Sequence, residues 1–204
     1  MANIITLTGQ SQCGKSTVIK LFMESENEFF HPRRIKKYTT RKGRDNDEDV
    51  ICKSEIPENC DILYEQYGNL YGLDSDMFYK LLRQGSTPIV VINDIRAVED
   101  LKSIFGDLIL SLFLYRKPAN LAEFEKEEQE RVKETKGEKD KIIADIAKTR
   151  YEKAQAISRI YIENIQMFDH VILNIDEHLD YTKTQIMHII EELTEDVQGL
   201  KKQS

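Results

Sequence analysis

Short apolar runs of strand length alternate with helical patterns along most of this chain, and this alternation limits the possible folds more than any other feature. The strand-like runs lie at residues 3–7, 89–92, 108–115 and 171–174. Helical periodicity lies between them, at residues 18–23, 74–83 and 97–105. Strands that alternate with helices and that are apolar on both faces are typical of a parallel sheet covered by helices. The sequence therefore predicts an α/β fold with a parallel sheet.

The composition excludes several other classes of protein. The 204 residues carry 29 basic and 36 acidic side chains, a net charge of −7, which argues against a general nucleic-acid-binding protein. Three cysteines are an odd number for a disulfide scaffold and fit a reduced, cytoplasmic protein. No apolar run is long enough to span a bilayer, and residues 1–8 lack the pattern of a secretory signal. We expect a cytoplasmic globular protein, monomeric or homodimeric, without nucleic-acid or membrane partners.

A glycine-rich segment directly follows the first strand. It satisfies the pattern G-x-x-x-x-G-K-S/T of the phosphate-binding loop, with the residues Gly9, Gln10, Ser11, Gln12, Cys13, Gly14, Lys15, Ser16 and Thr17. Such a loop turns backbone N–H groups and the start of a helix toward the phosphates of a nucleotide. Lys15 can reach the β- and γ-phosphates, and the Ser16 hydroxyl is a suitable Mg²⁺ ligand. We expect Cys13, inside the loop, to be open to oxidation or alkylation rather than catalytic.

Five cations lie within nine residues beyond the first helix, in a chain that is otherwise acidic. They are Lys36, Lys37, Arg41, Lys42 and Arg44. The guanidinium forks of Arg41 and Arg44 suit bidentate recognition of phosphate. A solvated basic loop is the alternative, but next to a phosphate-binding loop we favour a second phosphate site.

The order of three motifs resembles that of the guanylate kinase family. The phosphate-binding loop is followed by Y-T-T-R at residues 38–41 with Arg44, and then by Y-G-N-L-Y-G at residues 67–72. The family carries a phosphate-binding loop, T-T-R-x-x-R and G-N-Y-Y-G in this order and at similar spacing. The similarity continues through residues 89–94, 112–114 and 168–174, and so covers nearly the whole chain.

This resemblance implies a single three-part kinase that uses ATP and Mg²⁺ to phosphorylate a small nucleotide such as GMP or dGMP. Its core would comprise residues 1–32, 85–116 and 146–204. A subdomain that binds the nucleoside monophosphate would comprise residues 33–84, and a helical lid residues 117–145. The lid region is strongly charged, with 14 charged side chains at residues 123–141. A solvated helix face is the other interpretation of that charge.

The resemblance also implies roles for individual residues. Arg41 and Arg44 would hold the acceptor phosphate, and the Tyr71 hydroxyl would donate to the same phosphate. Asp94 matches an acidic residue that works beside Mg²⁺ and the acceptor, although an aspartate at the end of a strand can equally cap the following helix. Arg150 matches the arginine that begins the helix after the lid and reaches the transferred phosphoryl group, and Arg131 matches the lid arginine.

Three positions depart from the family at the residues that recognise guanine. The family's serine two residues before T-T-R is Lys37, the residue after Y-G is Leu73, and the base-reading glutamate falls on Ile62. The Lys37 ammonium can donate to guanine, and Asp61 or Glu65 is a candidate replacement for the glutamate. A site that loses hydrogen bonds to a base discriminates less between bases. We expect intact phosphate chemistry and weakened recognition of guanine.

Three functions follow from these observations. The leading hypothesis is an ATP:nucleoside-monophosphate phosphotransferase. A second hypothesis is a kinase of ribose 1,5-bisphosphate, because the bacterial ribose-bisphosphate phosphokinases share the Y-G turn, lack the guanine-recognising set and carry N-G-S-R-A, which resembles Asn93 with Arg96 and Ala97. A third is a non-catalytic interaction module with the guanylate kinase fold. Such modules have degraded phosphate-binding loops, whereas Lys15 and Ser16 are present here.

Overall fold

The computed structural model describes residues 3–43, 48–66, 68–117, 120–126, 140–175 and 178–201. For residues 140–147, 150 and 196–201 it describes the backbone alone. Within the described ranges, no helix combines the length and the apolar character needed to cross a membrane.

Parallel strands form a five-stranded central sheet, as the alternation of strands and helices predicts. In their order across the sheet they are β2 (Pro32–Arg34), β7 (Thr87–Val91), β1 (Ile4–Thr8), β8 (Ile109–Arg116) and β9 (His170–Asn174). In the centre, Leu7 lies between Val91 and Leu112 of the neighbouring strands. Because the strands are parallel, their carboxyl ends share one edge of the sheet, where ligands bind in open α/β folds.

Helices cover both faces of this sheet. They include α1 (Lys15–Met23), α2 (Ser75–Arg83), α3 (Ile95–Phe105), α4 (Asp140–Glu163) and α5 (Leu179–Lys201). On one face α1 and α5 contribute Phe22 and Ile190 to the core, and on the other α3 contributes Val98 and Leu101. Helices on both faces bury every residue of β1, which explains the continuous apolar runs in the sequence. The predicted α/β fold is confirmed.

A smaller sheet lies beside the central one, within the segment that the sequence assigns to a separate subdomain. Its strands, in order, are β4 (Val50–Cys52), β3 (Lys37–Thr39), β6 (Asn69–Leu73) and β5 (Ile62–Gln66). Tyr64 of β5 and Leu73 of β6 join the same apolar cluster as Ile4 and Ile92 of the central sheet. The two sheets therefore share a core on the side that α3 covers.

The predicted start of the subdomain and the predicted lid can each be compared with the described secondary structure. Arg33 and Arg34, which the predicted boundary assigns to the subdomain, belong to β2 and pair with Pro88 and Ile89 of the central sheet. The predicted lid, residues 117–145, lies largely outside the described residues. Within it residues 121–126 are helical, and α4 begins at Asp140.

Candidate active site

The phosphate-binding loop connects β1 to α1, as its motif predicts. Gln12 (φ 65°) and Gly14 (φ 97°) both adopt left-handed backbone conformations, and Gly14 is the N-cap residue of α1. The Lys15 Nζ donates to the carbonyl oxygens of Gly9 at 2.8 Å and of Gln10 at 2.6 Å. A left-handed glutamine is an uncommon conformation that is found chiefly at functional loops. The Lys15 ammonium thus lies against the backbone of the loop, which is the part of the motif that would surround the phosphates of a nucleotide.

Both glycines of the motif are required, for different physical reasons. A Cβ on Gly9 would lie 2.6 Å from the Sγ of Cys13 and 2.7 Å from the carbonyl oxygen of Leu114. The Leu114 oxygen belongs to the backbone of a central strand and cannot move aside. Gly14 has a left-handed φ that strains any residue with a side chain, and a Cβ there would also collide with Asn174. Glycine is required at position 9 because a side chain has no room there, and at position 14 because of the left-handed backbone conformation.

Side chains from neighbouring strands hold the carbonyl groups of the loop. Arg116 Nη1 donates to the Gln12 oxygen at 2.9 Å, and Asn174 Nδ2 donates to the Cys13 oxygen at 2.8 Å. Gln10 Nε2 donates in return to the Arg116 oxygen at 3.1 Å. With the carbonyls engaged outward, the backbone N–H groups can face a phosphate. Sequence reasoning missed the contribution of Arg116 and Asn174; the available signal was that each ends a strand at the carboxyl edge.

Cys13 corrects one expectation. Its side chain is fully buried, and burial raises the pKa of the thiol despite the nearby Lys15 ammonium, 3.8 Å away. Oxidation and alkylation need an accessible thiolate. Cys13 is therefore a packing residue of the loop and not an exposed reactive thiol. By contrast, Ser16 and Thr17 are exposed at the start of α1.

The T-T-R segment and the Y-G turn lie side by side in the small sheet. Thr39 pairs with Tyr71. The Thr40 N–H donates to the Leu70 oxygen at 3.1 Å, and the Leu70 N–H donates to the Thr40 hydroxyl at 3.0 Å. Arg41 follows directly, with its backbone N–H donating to the Thr39 hydroxyl at 3.2 Å. Arg41 therefore lies just past the end of β3, two residues beyond the Thr39–Tyr71 pair.

Tyr64 adds a second tyrosine to this surface. Its ring stacks on Tyr71 with centroids 5.1 Å apart and planes 10° apart, because the two residues are cross-strand partners. Within the described part of the chain the buried Tyr64 hydroxyl has no hydrogen-bond partner. Burial, with the charge of Asp94, raises the pKa of Tyr64, so the hydroxyl stays protonated. An orphaned buried donor beside a phosphate grip is a candidate substrate contact.

Lys37 occupies an unexpected position. Its side chain is 5% exposed, and its Nζ donates to the carbonyl oxygen of Val91 at 2.6 Å. Val91 is the last residue of β7, so the amine lies at the carboxyl edge of the central sheet, next to the strand that leads into the phosphate-binding loop. Burial, together with the charges of Lys15 and Arg41, lowers the pKa of Lys37 to about 8. The ammonium, Lys15 and Arg41 therefore form one group of interacting cations.

The other positions that the resemblance links to guanine hold no polar group facing the site. Ile62 and Leu73 face each other across β5 and β6 and are 0% and 1% exposed. Asp61 accepts from the backbone N–H of Ser75 at 2.9 Å and from its hydroxyl, so its carboxylate is engaged by the first residue of α2. Glu65 is exposed, on the face of β5 opposite Tyr64, because side chains alternate along a strand. The structure therefore does not bring Glu65 together with Tyr71.

Asp94 ends the loop after β7 and caps the next helix. Its Oδ1 accepts from the Ala97 N–H at 2.9 Å, which is the capping alternative that the sequence left open. The neighbouring Asn93 carbonyl accepts from the Tyr161 hydroxyl at 2.7 Å and from Gln66 Nε2 at 3.4 Å. These bonds tie the end of β7 to α4 and β5. The charge of Asp94 still reaches the tyrosine pair, since it contributes to the raised pKa of Tyr64.

Three predicted arginines are not placed by the structure. Arg44 and Arg131 lie outside the described residues, and Arg150 lies in α4, where only the backbone is described. Their roles stay predictions.

Comparison with solved structures identifies this architecture. No protein family model and no curated protein matches the sequence. Guanylate kinase from Anaplasma phagocytophilum is similar over 94% of this chain and 85% of its own, with a TM-score of 0.58 and 15% identity. Dephospho-CoA kinase from Campylobacter jejuni is matched over 94% of this chain and 97% of its own, with a TM-score of 0.37 and 14% identity. The five-stranded parallel sheet flanked by helices is the fold of a P-loop kinase such as guanylate kinase.

Proposed function

We propose that this protein is an ATP-dependent phosphotransferase that moves the γ-phosphoryl group of ATP to the phosphate of a small acceptor, as nucleoside monophosphate kinases do. One observation supports the proposal: the buried Lys37 side chain joins the two sheets through its bond to Val91, and its charge interacts with those of Lys15 and Arg41. Lys15 belongs to the phosphate-binding loop of the central sheet. Tyr71 belongs to the small sheet, and Arg41 lies just beyond the end of β3 in the same sheet.

The residues present suit such a transfer without a covalent intermediate. Phosphoryl transfer depends chiefly on positioning and on neutralising the charge of the transferred group. Loop N–H groups would hold the β-phosphate, and Lys15 would leave its carbonyl partners to meet the β- and γ-phosphate oxygens. Arg41 would orient the acceptor phosphate from the other side. Two anions that repel each other in water would thus be held together by cations.

The donor atoms at the start of α1 fit a magnesium ion. Mg²⁺ prefers oxygen ligands and is usually held by few protein groups together with substrate phosphates and water. The exposed Ser16 hydroxyl is such a group. Among the described residues no cluster of three His, Cys, Asp or Glu side chains could hold a metal ion by itself. When bound beside Ser16, Mg²⁺ would supply positive charge that offsets the negative charge of the phosphates.

GMP and dGMP are the first acceptors to test, because the fold and the order of motifs match guanylate kinase. Ribose 1,5-bisphosphate is the second candidate, favoured by the buried apolar side chains of Ile62 and Leu73 and by the cation at Lys37. These residues offer little for a guanine edge. Against a non-catalytic module stands the intact loop, in which the Lys15 ammonium already contacts the backbone that would hold phosphate.

A coupled assay of ADP release tests the proposal. GMP, dGMP, AMP and ribose 1,5-bisphosphate would each be offered with ATP and Mg²⁺, and the kcat/KM values compared. We expect ADP release that requires an acceptor and is lost in Lys15→Ala. A ratio of kcat/KM for GMP over AMP as high as that of a guanylate kinase would support GMP as the substrate. ADP release with none of the acceptors, from a folded protein that binds ATP, would refute the kinase assignment.

A further inference from the structure

The Lys37 ammonium is buried with few partners. An ammonium has three N–H donors, and within the described residues the bond to the Val91 carbonyl is the hydrogen bond that this group makes. The Tyr71 ring lies 5.6 Å from the Nζ, which adds a weaker cation–π attraction. A buried charge is costly unless it is paired. Two donors of this ammonium are therefore available to a ligand.

Among the described groups whose charge acts on Lys37, two are cations and one is an anion. Lys15 from α1 and Arg41 from the end of β3 both act on it and lower its pKa, after the larger effect of burial. Asp49, before β4, acts in the opposite direction, but its carboxylate is itself paired with Arg34 at 3.5 Å. Tyr71 from β6 contributes its ring alone. A phosphate dianion beside the Lys37 ammonium would offset both the cost of burying its charge and the repulsion from Lys15 and Arg41.

Strand geometry places Lys37 on the buried face of the small sheet. Lys37 and Thr39 are both buried and share one face of β3, and Arg41 lies two residues beyond the end of that strand. Thr39 of that face pairs with Tyr71, on which Tyr64 stacks. The amine itself ends at Val91, beside Leu7 and the start of the phosphate-binding loop. An acceptor phosphate between Arg41 and Lys15 would lie next to it.

We propose that Lys37 is a phosphate ligand of the acceptor site, which keeps its bond to Val91 and directs its remaining N–H groups to the phosphate that receives the phosphoryl group. This inference rests on the proposed function. The buried Tyr64 hydroxyl, without a partner among the described residues, supplies a further donor beside the same phosphate. Acceptors are then selected by their phosphate, and a base contributes little.

If Lys37 binds the acceptor phosphate, binding of the acceptor should be coupled to proton uptake by Lys37. Above pH 8 the empty site increasingly holds a neutral amine, because the pKa of Lys37 is about 8. A bound phosphate dianion favours the ammonium, so binding must take up a proton at higher pH. The acceptor affinity should therefore fall toward tenfold per pH unit above pH 8. The phosphate groups of these monoesters are fully ionised over this range. Guanine loses its own N1 proton at the alkaline end, but AMP and ribose 5-phosphate have no such group, so a fall in affinity that all three ligands share is assigned to Lys37.

Calorimetry of three phosphate monoesters tests the proposal. GMP, AMP and ribose 5-phosphate would be titrated between pH 7.5 and 9.5 into protein saturated with Mg²⁺ and a non-hydrolysable ATP analogue. Lys37→Met, which has nearly the same length, should weaken all three by tenfold or more at pH 7.5. Lys37→Arg should bind them with an affinity that does not change over this pH range. Lys36→Met, at the exposed neighbouring residue, is the matched control and should behave as wild type.

Each alternative has its own result. If Lys37→Met weakens GMP alone, the ammonium contacts the base and the proposal is wrong. If Lys37→Met binds all three ligands as wild type does, Lys37 only supports the fold and the proposal is wrong. The proposal is also refuted if wild type binds none of the three ligands. The proposed function fails separately, when the binding pattern is as expected but no acceptor yields ADP in the coupled assay.

Discussion

The Nζ of Lys37 lies 2.6 Å from the carbonyl oxygen of Val91, so a side chain of the small sheet is bonded to the carboxyl end of a central strand. Val91 pairs with Leu7 of β1, the strand that leads into the phosphate-binding loop, and Lys37 lies on the strand that leads into the T-T-R segment. The bond also places a charged group where burial disfavours charge. Function and stability are therefore opposed at this residue, and the opposition can be measured.

The Lys37 contribution to stability should grow between about pH 8 and 10.5. Burial lowers its folded-state pKa to about 8 from an ordinary 10.5. Between these values the unfolded chain binds a proton that the folded chain does not, so the free energy of unfolding rises with pH. Urea denaturation should show this rise in wild type and, to the same extent, in the control Lys36→Met, each measured relative to Lys37→Met. A wild type that loses stability relative to Lys37→Met over this range would contradict the burial of the amine.

Lys15→Ala should reduce turnover by about 10²–10³-fold or more, because it removes a cation aimed at the charge of the transferred phosphoryl group. The melting temperature should change little, since the side chain is half-buried and its bonds to described residues all lie within its own loop. Lys20→Ala, on the exposed face of the same helix, should retain activity. Near-normal ADP release by folded Lys15→Ala would mean that the loop is not the working site.

Arg41→Ala should raise the acceptor KM by about 10- to 100-fold, the usual value of a hydrogen bond to a charged group. The KM for ATP should stay constant, and kcat should fall less than kcat/KM, because the contact exists before and during transfer. Lys42→Ala, at an exposed neighbour, serves as the control. Loss of ATP affinity with an unchanged acceptor KM would show that Arg41 serves the donor nucleotide instead.

Gly9→Ala should weaken ATP binding at least tenfold and destabilise the protein by about 1–3 kcal/mol, since its Cβ would overlap Cys13 and the Leu114 carbonyl. Gly43→Ala is the matched control, because there a Cβ would meet the Cys52 sulfur at an ordinary 3.5 Å. Fluorescent-nucleotide titration and thermal melting measure the two effects. Equal behaviour of both variants would show that the loop tolerates a side chain at Gly9.

Asp169→Asn should destabilise the protein by about 1 kcal/mol at neutral pH. Its Oδ2 accepts from the Ser111 N–H and hydroxyl, both at 2.7 Å, and pairs with Lys102 at 3.4 Å. Partial burial raises the pKa of Asp169, but the Ser111 bonds and the Lys102 charge outweigh it and lower the pKa overall. The difference from wild type should therefore shrink below about pH 4, as the carboxylate protonates. Asp107→Asn, at an exposed residue, should show no such difference.

Local patterns account for what could be predicted about the site. The strand before Gly9 and the helix after Lys15 are visible in the sequence, because each depends on neighbouring residues and on the period of their side chains. The proximity of Arg41 and Tyr71 followed from the resemblance to guanylate kinases. Asp94 as a helix cap was one of two stated possibilities, and capping is likewise a local interaction.

The sequence by itself determined the alternation of strands and helices, the phosphate-binding loop and the basic segment beyond it. Only the tertiary structure decided that Lys37 is buried against Val91, that Tyr64 stacks on Tyr71, and that Arg116 and Asn174 hold the loop. These contacts join residues far apart in the chain, across strands whose order in the sheet is not their order in the sequence. A lysine next to other cations has the sequence pattern of a solvated side chain, and Lys37 is buried only because the two sheets pack together around it.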